Sequence, residues 1–251
     1  MKIALVLYGQ ARNYKEGYQV IQKFLDCKVD VFYHTWTLEA AGEQFDASPW
    51  RPLSKETLAF QEGLLDELQT LYMPVKWLAE PALKTVDESP YVSTIAYRNI
   101  QTNERKRGNI KNVISQMTSR TKARNLLDQH IQESGVQYDF VIMSRFDIKE
   151  APTALRLADL DKRKVYVSNA HLPRRVFPDN FIICPPKIFC QWMAIMDHLP
   201  VILNSAELQK QMAGLKEKLE LNPEEILLAA YLYHFGSLQN LVTHPAIKCG
   251  I

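Results

Sequence analysis

The stretch YDFVIMSRFDI, residues 138–148, decides the fold prediction for this sequence. Its four apolar residues, Phe140 to Met143, predict a strand that is buried on both faces, as in the centre of a parallel sheet. The run then ends in charge, with Arg145 and Asp147. Ligands of open α/β sheets bind beyond the carboxyl ends of the strands, so charged side chains after a buried strand indicate a ligand site.

The residues before this strand predict an alternation of strands and helices. A continuous apolar run begins at the third residue and stops at Gly9, and a second run of the same kind ends in a tryptophan. With a third, shorter run, the predicted strands are residues 3–8, 29–36 and 74–78, and the predicted helices are residues 14–25 and 54–72. This order is typical of the first half of a nucleotide-binding α/β sheet.

A long helix is predicted at residues 113–133, directly before the buried strand. Its inward stripe is polar in the first half, with Gln116 and Arg120, and apolar in the second half. Arg120 therefore faces either a ligand or solvent, and the sequence leaves both interpretations open. The less regular connection before this helix, residues 81–112, is predicted to be a mobile surface segment that carries a run of basic residues.

The C-terminal third predicts further strands and helices. The strands are residues 164–168 and 180–184, the helices are residues 187–198, 205–219 and 223–235, and a short tail follows at 241–245. An apolar stripe along the second of these helices indicates packing. The chain contains no internal repeat, and we predict one α/β domain over residues 1–251, with a Rossmann-type sheet sandwiched by helices.

Composition limits the classes of function. Thirty basic and 28 acidic residues give a net charge of +2, which argues against a protein that works by binding nucleic-acid phosphates. Four cysteines without a Cys-x-x-Cys pair indicate reduced thiols and a cytoplasmic location. No apolar run approaches the roughly 18 residues of a membrane-spanning helix. We expect no transmembrane segment, while peripheral contact with the inner membrane face stays open.

The residue types at the end of the buried strand suit phosphate chemistry. An Asp147 carboxylate can hold Mg²⁺ or Mn²⁺, which prefer oxygen ligands and often share their shell with substrate phosphates. Arg145 can bind a phosphate through paired N–H donors. The alternative is an ion pair between Arg145 and Asp147 at the surface, with no ligand at all.

Several segments resemble, in their order along the chain, a group of bacterial and viral glycosyltransferase-like proteins of the GT-A class. YDFVIMSRFDI resembles the segment that carries their DxD metal motif, with Arg145 in place of the first aspartate. The other similar segments are ALVLYGQARNYKEG, VDVFYHTW, NVISQMTSRTKARNLL, VFPDNFIICPPKIF and NPEEILLAAYL. The resemblance covers about three fifths of the chain and implies a GT-A-like fold. Because Arg145 replaces a carboxylate, it could neutralise a diphosphate directly and replace part of the metal's work.

The resemblance also implies roles for individual residues on the donor side. The loop after the first strand, with Gly9, Gln10 and Arg12, would hold a nucleoside diphosphate, together with Thr35, Arg120 and Arg145. Asp147 and His244 would bind the Mn²⁺ or Mg²⁺ ion. The ordinary alternatives are a turn glycine in the loop and a surface or packing histidine near the C-terminus.

Two carboxylates compete for the role of catalytic base. Asp179 corresponds to the acceptor side of the resembling enzymes, although it also suits a turn. Glu225 begins a helix where that class often carries its catalytic acid residue. The sequence Asn222-Pro223-Glu224-Glu225 equally fits a capping box.

The function implied by the resemblance is transfer of a sugar from a nucleoside diphosphate sugar to a glycan or lipid-linked acceptor, as in surface polysaccharide synthesis. Two alternatives remain. A sugar-1-phosphate nucleotidyltransferase also opens with a strand and a glycine loop, but YGQARNYKEG is poorer in glycine than such loops. A domain that binds a nucleotide or glycan without turnover is favoured by Arg145 at the position of an acidic residue.

Overall fold

In a computed structural model of the chain, the described residues form one mixed sheet. They are residues 1–25, 29–45, 59–107, 109–150, 155–168, 181–244 and 247. The strands are β1 (Ile3–Gln10), β2 (Val29–Thr37), β3 (Lys76–Pro81), β4 (Phe140–Arg145), β5 (Val165–Ser168), β6 (Phe181–Cys184) and β7 (Leu241–His244). Their order across the sheet is β3-β2-β1-β4-β6-β5-β7.

Helices cover both faces of this sheet, which confirms the predicted α/β class. They are α1 (Tyr14–Phe24), α2 (Leu64–Tyr72), α3 (Ile95–Ile100), α4 (Glu104–Arg107), α5 (Ile110–Ser134), α6 (Pro186–Trp192), α7 (Ile195–Leu203), α8 (Ala206–Gly214) and α9 (Pro223–Phe235). Helices α1 and α2 pack on one face, which we call the α1 face. Helix α5, with α6 to α9, packs on the other, the α5 face.

The central strand β1 is apolar throughout because both of its sides are buried. Ala4, Val6 and Tyr8 belong to the core on the α5 face, whereas the alternate residues from Ile3 to Leu7 belong to the core on the α1 face. β1 runs parallel to β2 on one side and to β4 on the other. A parallel strand between two others and two helix layers requires a continuous apolar run, as the sequence predicted.

The second half of the sheet departs from a parallel Rossmann-type arrangement. β6 is antiparallel to both β4 and β5, and β7 then pairs in parallel with β5. Because the direction reverses twice, β5 and β7 end at the same edge of the sheet as β1 to β4. We call this the carboxyl edge. The expected Rossmann-type order therefore holds for β1 to β4 and not beyond.

Three predicted helices differ from the observed ones. The helix expected at residues 54–72 begins at Leu64, because Gly63 turns the chain with φ 71°; residues 46–58 lie outside the described part. The helix expected at 187–198 is divided between α6 and α7. At the break, the Thr121 hydroxyl donates to the Met193 carbonyl and accepts from the Met196 N–H. The helix expected at 205–219 ends at Gly214.

The segment at residues 81–112 contains regular structure. Helix α3 begins at Thr94, whose side-chain oxygen accepts a hydrogen bond from the Tyr97 N–H at 3.2 Å. Ala96 and Ile100 are fully buried in the core on the α5 face. Part of this segment is therefore packed rather than superficial, and its mobility stays a prediction. In the part of the chain that the structure describes, no helix has the length and apolarity needed to cross a membrane.

Candidate active site at the carboxyl edge of the sheet

The strand order places a topological switch point between β1 and β4. From β1 the chain proceeds outward to β2 and β3, and it then returns to place β4 on the opposite side of β1. The connections after β1 and β4 therefore leave in different directions, which opens a crevice beyond the two carboxyl ends. Gly9, Gln10 and Arg12 follow or end β1, and Arg145 and Asp147 end or follow β4.

The loop after β1 is held in a tight geometry. Gly9 has φ +93°, a conformation that side chains with a Cβ rarely adopt, and the Arg12 N–H donates to the Gln10 carbonyl at 2.9 Å. Helix α1 then approaches the end of β4 closely at Gly17, where an added Cβ would lie 1.7 Å from the Phe146 carbonyl oxygen. This contact fixes the loop that carries Arg12 against the turn that carries Asp147.

Arg12, Arg145 and Asp147 form one cluster at the switch point. Arg145 donates from Nε to Asp147 Oδ1 and from Nη2 to Asp147 Oδ2, both at 2.8 Å. Arg12 Nη2 lies 3.4 Å from Asp147 Oδ2. The Asp147 side chain is only 1% exposed, whereas the two arginines keep 13% and 17% of theirs exposed. The ion pair expected as an alternative is thus present, but it is buried and the aspartate serves two guanidinium groups.

A third arginine lies beside this cluster, on the α5 face. Arg120 is fully buried, its guanidinium carbon lies 4.3 Å from the centre of the Tyr8 ring, and it donates to the Tyr8 hydroxyl. Tyr8 is in turn the register partner of Arg145. Burial excludes the interpretation that Arg120 lies on a solvated face. Among the described residues, three arginines and one aspartate therefore lie near one another at this end of the sheet.

A network of hydrogen bonds between buried polar groups holds the Gly9 loop in place. The Gly9 N–H donates to Ser119 Oγ at 2.7 Å, and Ser119 Oγ lies 2.7 Å from His34 Nδ1. His34 Nε2 lies 2.9 Å from Glu80, which also binds Lys122. If Nε2 carries the proton, it donates to Glu80, and Nδ1 accepts from Ser119. Every pairing is then satisfied with a neutral imidazole.

Burial favours this neutral form of His34. The side chain is fully buried, and desolvation lowers its pKa to about 4, although the hydrogen bond and the charge of Glu80 act in the opposite direction. His34 and Ser119 were not among the predicted site residues. Two sequence signals pointed to them. One is a histidine inside the apolar run at residues 29–36, and the other is the presence of small polar residues in the polar half of the helix predicted at residues 113–133.

Residues from the end of β2 and the segment that follows it line two clefts, and Arg12 of the cluster lines one of them. Each has a volume of about 350 Å³. One is lined by Arg12 and apolar side chains of α2. The other is lined by Gln10 and by charged side chains of both signs, among them Lys84, Lys111, Glu39 and Glu43. Thr37 lines both clefts. The predicted contact Thr35 is instead fully buried, with its hydroxyl directed to the Trp36 carbonyl at 3.3 Å.

Glu225 lies apart from the cluster, at the start of α9. Its N–H donates to the Asn222 side chain at 3.1 Å, which confirms the helix cap. Burial, followed by the negative charge of Glu224, raises the pKa of Glu225 to about 8. In the described part of the chain its Oε2 atom is buried without a hydrogen-bond partner. Asp179, the other predicted base, lies outside the described residues.

The residues at the switch point do not fit a divalent cation as they stand. Both carboxylate oxygens of Asp147 receive hydrogen bonds from Arg145, and a cation there would meet two guanidinium charges. His244 ends β7, three strands from β4, which corresponds to roughly 14 Å at ordinary strand spacing. Among the described residues, no three histidine, cysteine, aspartate or glutamate side chains gather as a metal site. We therefore derive no chemical step through a metal.

Comparison of the sequence with models of known protein families gives no match. A comparison with curated proteins also gives no significant similarity.

Proposed function

We propose that this protein is a GT-A-like glycosyltransferase that moves a sugar from a nucleoside diphosphate donor to a glycan or lipid-linked acceptor. The observation that carries the proposal is the buried Arg12–Asp147–Arg145 cluster at the switch point, with one cleft lined by Arg12 and another by Gln10 of the same loop. The proposed setting is surface polysaccharide synthesis in the cytoplasm, at or near the inner membrane face.

The charge of the cluster supports binding of a diphosphate. Asp147 neutralises about one of the two guanidinium groups that it contacts, and it fixes the orientation of both. Arg12 and Arg145 keep 13% and 17% of their side chains exposed, so a diphosphate in the crevice can approach both guanidinium groups. Guanidinium groups bind phosphate oxygens in bidentate fashion, and they are held in place before the ligand arrives. Such preorganised charge stabilises the leaving nucleoside diphosphate most while the bond between the sugar and the diphosphate breaks.

The clefts support binding of the remainder of a nucleotide sugar. Each volume of about 350 Å³ lies at the lower end of the range for small-molecule sites, roughly 300–1,000 Å³. Arg12 lines one cleft and Gln10 the other, so a diphosphate on the cluster could extend a base or a sugar into either. The Gly9 turn permits the close approach of backbone that such binding requires.

If the transfer inverts the configuration of the sugar, the acceptor hydroxyl needs a base, and both predicted carboxylates remain candidates; if it retains the configuration, neither need be a base. Asp179 and Glu225 are distinguished by their pH dependence. With a pKa of about 8, Glu225 becomes an effective base only as the pH rises toward 8. If Glu225 is the base, kcat should increase between pH 6 and 8, and the variant Glu225→Gln should remove both the activity and the increase. An activity that keeps its pH profile in Glu225→Gln would leave Asp179 as the candidate.

The donor site is tested by calorimetric binding of UDP and GDP, each with and without Mn²⁺. We expect one nucleotide to bind without the metal, and Arg145→Ala to weaken its binding about 10- to 100-fold, the effect of losing a charge-assisted pair. Arg163→Ala is the matched control. Arg163 makes the same bidentate pair, with Asp161 at 2.9 and 3.0 Å, but it is exposed and precedes β5.

Three results would change the proposal. Binding that requires Mn²⁺ and is lost in Asp147→Ala would restore the metal-assisted donor site that the resemblance implies. Binding of neither nucleotide would remove the donor assignment for these two bases. Equal losses in Arg145→Ala and Arg163→Ala would show that the effect reflects stability rather than phosphate contact.

A second candidate function is a domain that binds a nucleotide or glycan without turnover. The engagement of Asp147 by two arginines favours it, because this carboxylate then has no free oxygen for chemistry. Donor hydrolysis decides between the two candidates. Release of free sugar from the nucleotide that binds, above the rate without protein and sensitive to Arg145→Ala, would exclude the binding-only function.

A further inference from the structure

Strand β3 forms one edge of the sheet, and apolar side chains are exposed there. Among the described residues, no strand pairs with β3 on the side away from β2. Met73, Val75, Trp77 and Leu78 are 76%, 42%, 39% and 36% exposed. These residues lie in the strand or directly before it. An open strand edge beside exposed apolar side chains is a surface suited to pairing with another chain.

Within the described part of the chain, alternate residues of β3 have no strand partner at this edge. The Val75 N–H donates to the Val31 carbonyl at 2.8 Å, and residues 32–37 of β2 pair in parallel with residues 76–81. In a parallel ladder the odd residues of β3 then face β2, and Lys76, Leu78 and Glu80 face outward. Pro81 has no N–H, and Ala82 supplies the bond to the Thr37 carbonyl instead. The three outward residues all keep their N–H groups.

We propose that two copies of this chain pair through β3, antiparallel, with Leu78 opposite Leu78 of the second copy. The sequence KWLAEP is complementary to itself in this register. Lys76 faces Glu80 of the second copy on the α5 face of the sheet. On the α1 face, Trp77 faces Ala79 and Val75 faces Pro81, so that side of the contact is entirely apolar. The sheet continues from one copy into the other.

Charge selects this register over its neighbours. A shift of two residues places Leu78 opposite either Lys76 or Glu80, so that neither Lys76 nor Glu80 of either copy has an opposite charge facing it. A shift of four residues places Lys76 opposite Lys76 or Glu80 opposite Glu80, and like charges directly opposite each other destabilise a strand pair. Glu80 also remains able to take part, because its contacts with His34 and Lys122 both use Oε2. Lys76 binds Glu133 within its own copy, and its ammonium group carries three N–H donors, so it would share them between Glu133 and Glu80 of the second copy.

The dimer should be weak and should depend on concentration. A pair of six-residue strands with four flanking apolar side chains on each copy makes a contact at the low end of stable interfaces. Sedimentation equilibrium should therefore show a monomer–dimer equilibrium, rather than a permanent dimer. The proposal does not depend on the proposed function, because β3 contributes no residue to the Arg12–Asp147–Arg145 cluster and only Pro81 of the strand lines one of the clefts.

A cysteine cross-link tests the register. Residues opposite each other in a hydrogen-bonded antiparallel pair have Cα atoms about 5.5 Å apart, which a disulfide can span. Leu78→Cys, in a background with Cys27 and Cys249 replaced by serine, should form a cross-linked dimer under mild oxidation. Met73→Cys is the control. It is more exposed than Leu78, but in this register its two copies lie roughly 33 Å apart.

A proline substitution tests the strand pairing without disturbing the fold. Leu78→Pro removes an N–H that faces outward, so no bond to β2 is lost, and proline is tolerated at edge strands. We expect its dimer to dissociate at least tenfold more readily, with an unchanged circular dichroism spectrum. A wild-type chain that stays monomeric at every soluble concentration would overturn the proposal. So would a dimer that survives Leu78→Pro, or equal cross-linking of Met73→Cys and Leu78→Cys.

Discussion

His34 shows how the environment of one residue changes its chemistry. Its pKa of about 4 in the folded chain lies below the value of 6.5 in the unfolded chain. Between these pH values the unfolded state binds more protons than the folded state, so the free energy of unfolding rises with pH. The contribution of His34 to stability is therefore present above pH 6.5 and is lost as the pH falls toward 4. The histidine thus favours the fold at neutral pH and opposes it in acid.

We expect His34 to destabilise the fold by roughly 2 kcal/mol when the pH falls from 7 to 5. Urea unfolding of the wild type and of His34→Gln at the two pH values would measure this effect. Because other titrating groups are common to both chains, the advantage of the wild type over the variant should shrink by that amount. A difference that is the same at both pH values would mean that His34 is not buried as a neutral group.

Ser119 connects His34 to the Gly9 loop, and its loss should be costly. Ser119→Ala removes the acceptor of the Gly9 N–H and the partner of His34 Nδ1, so two buried polar groups lose their hydrogen bonds. Leaving buried groups unsatisfied costs about 1–3 kcal/mol. Thr118→Ala is the control, since it removes a hydroxyl from the adjacent, partly exposed position of α5. Urea unfolding should distinguish the two variants, and equal stabilities would contradict the network.

For single residues, the sequence predicted where a charged side chain lies in the fold better than which residues it contacts. The rule that charge after a buried strand marks a site placed Arg145 and Asp147 correctly at the carboxyl edge. It could not predict that Arg12, more than 100 residues earlier, would share the same carboxylate, because that contact depends on how β1 and β4 are aligned. For Arg120, the periodicity left ligand and solvent open, and packing against Tyr8 excluded solvent.

At the scale of elements, α1 and the end of β4 are locked together at Gly17. An alanine there would place its Cβ against the Phe146 carbonyl, which is backbone and cannot rotate away. We expect Gly17→Ala to lower the free energy of unfolding by about 1–3 kcal/mol or more, as overpacking does. It should also weaken nucleotide binding, because Phe146 directly precedes Asp147.

Gly214→Ala is the matched control for this substitution. Gly214 also lies in a helix, α8, but an added Cβ would meet nothing within 4 Å. Alanine is the better helix former, so this variant should be neutral or slightly more stable. Thermal unfolding of both variants measures the contrast. Equal stability would mean that α1 can move away from β4 at little cost.

The helices also show why element boundaries were harder to predict than elements. Residues 187–198 look like one helix because their apolar pattern continues through Met193 and Ala194. The break comes from Thr121 on α5, whose hydroxyl bonds the last turn of α6 and the first turn of α7. Local pattern contains no information about a side chain more than 70 residues away. Strand β4, in contrast, depends on its own apolar run and was predicted with only two residues missing.

At the scale of the whole molecule, the sequence predicted the parallel half of the sheet and not the mixed half. The order β1-α1-β2-α2-β3 follows from short connections and alternating patterns. The direction of β6 does not, because four apolar residues suit a strand of either direction. Strand β7 was predicted only as a tail, yet it pairs with β5 over four residues and forms the outer edge of the sheet.

The edge strand β7 provides a test of whether the chain is one cooperative domain. Leu241 packs against the core on the α5 face, and Val242 and the fully buried Ile247 belong with the core on the α1 face. A chain that ends at Asn240 loses all three, at a cost of about 3 kcal/mol, whereas a chain that ends at Ile247 keeps every described residue. In a single cooperative domain, this loss lowers the free energy of unfolding of the whole sheet. Calorimetry should then show one transition in both chains, about 6–12 °C lower in the shorter one. A second transition in the shorter chain would instead mean that β5 to β7 unfold on their own, since a two-state domain has no such intermediate.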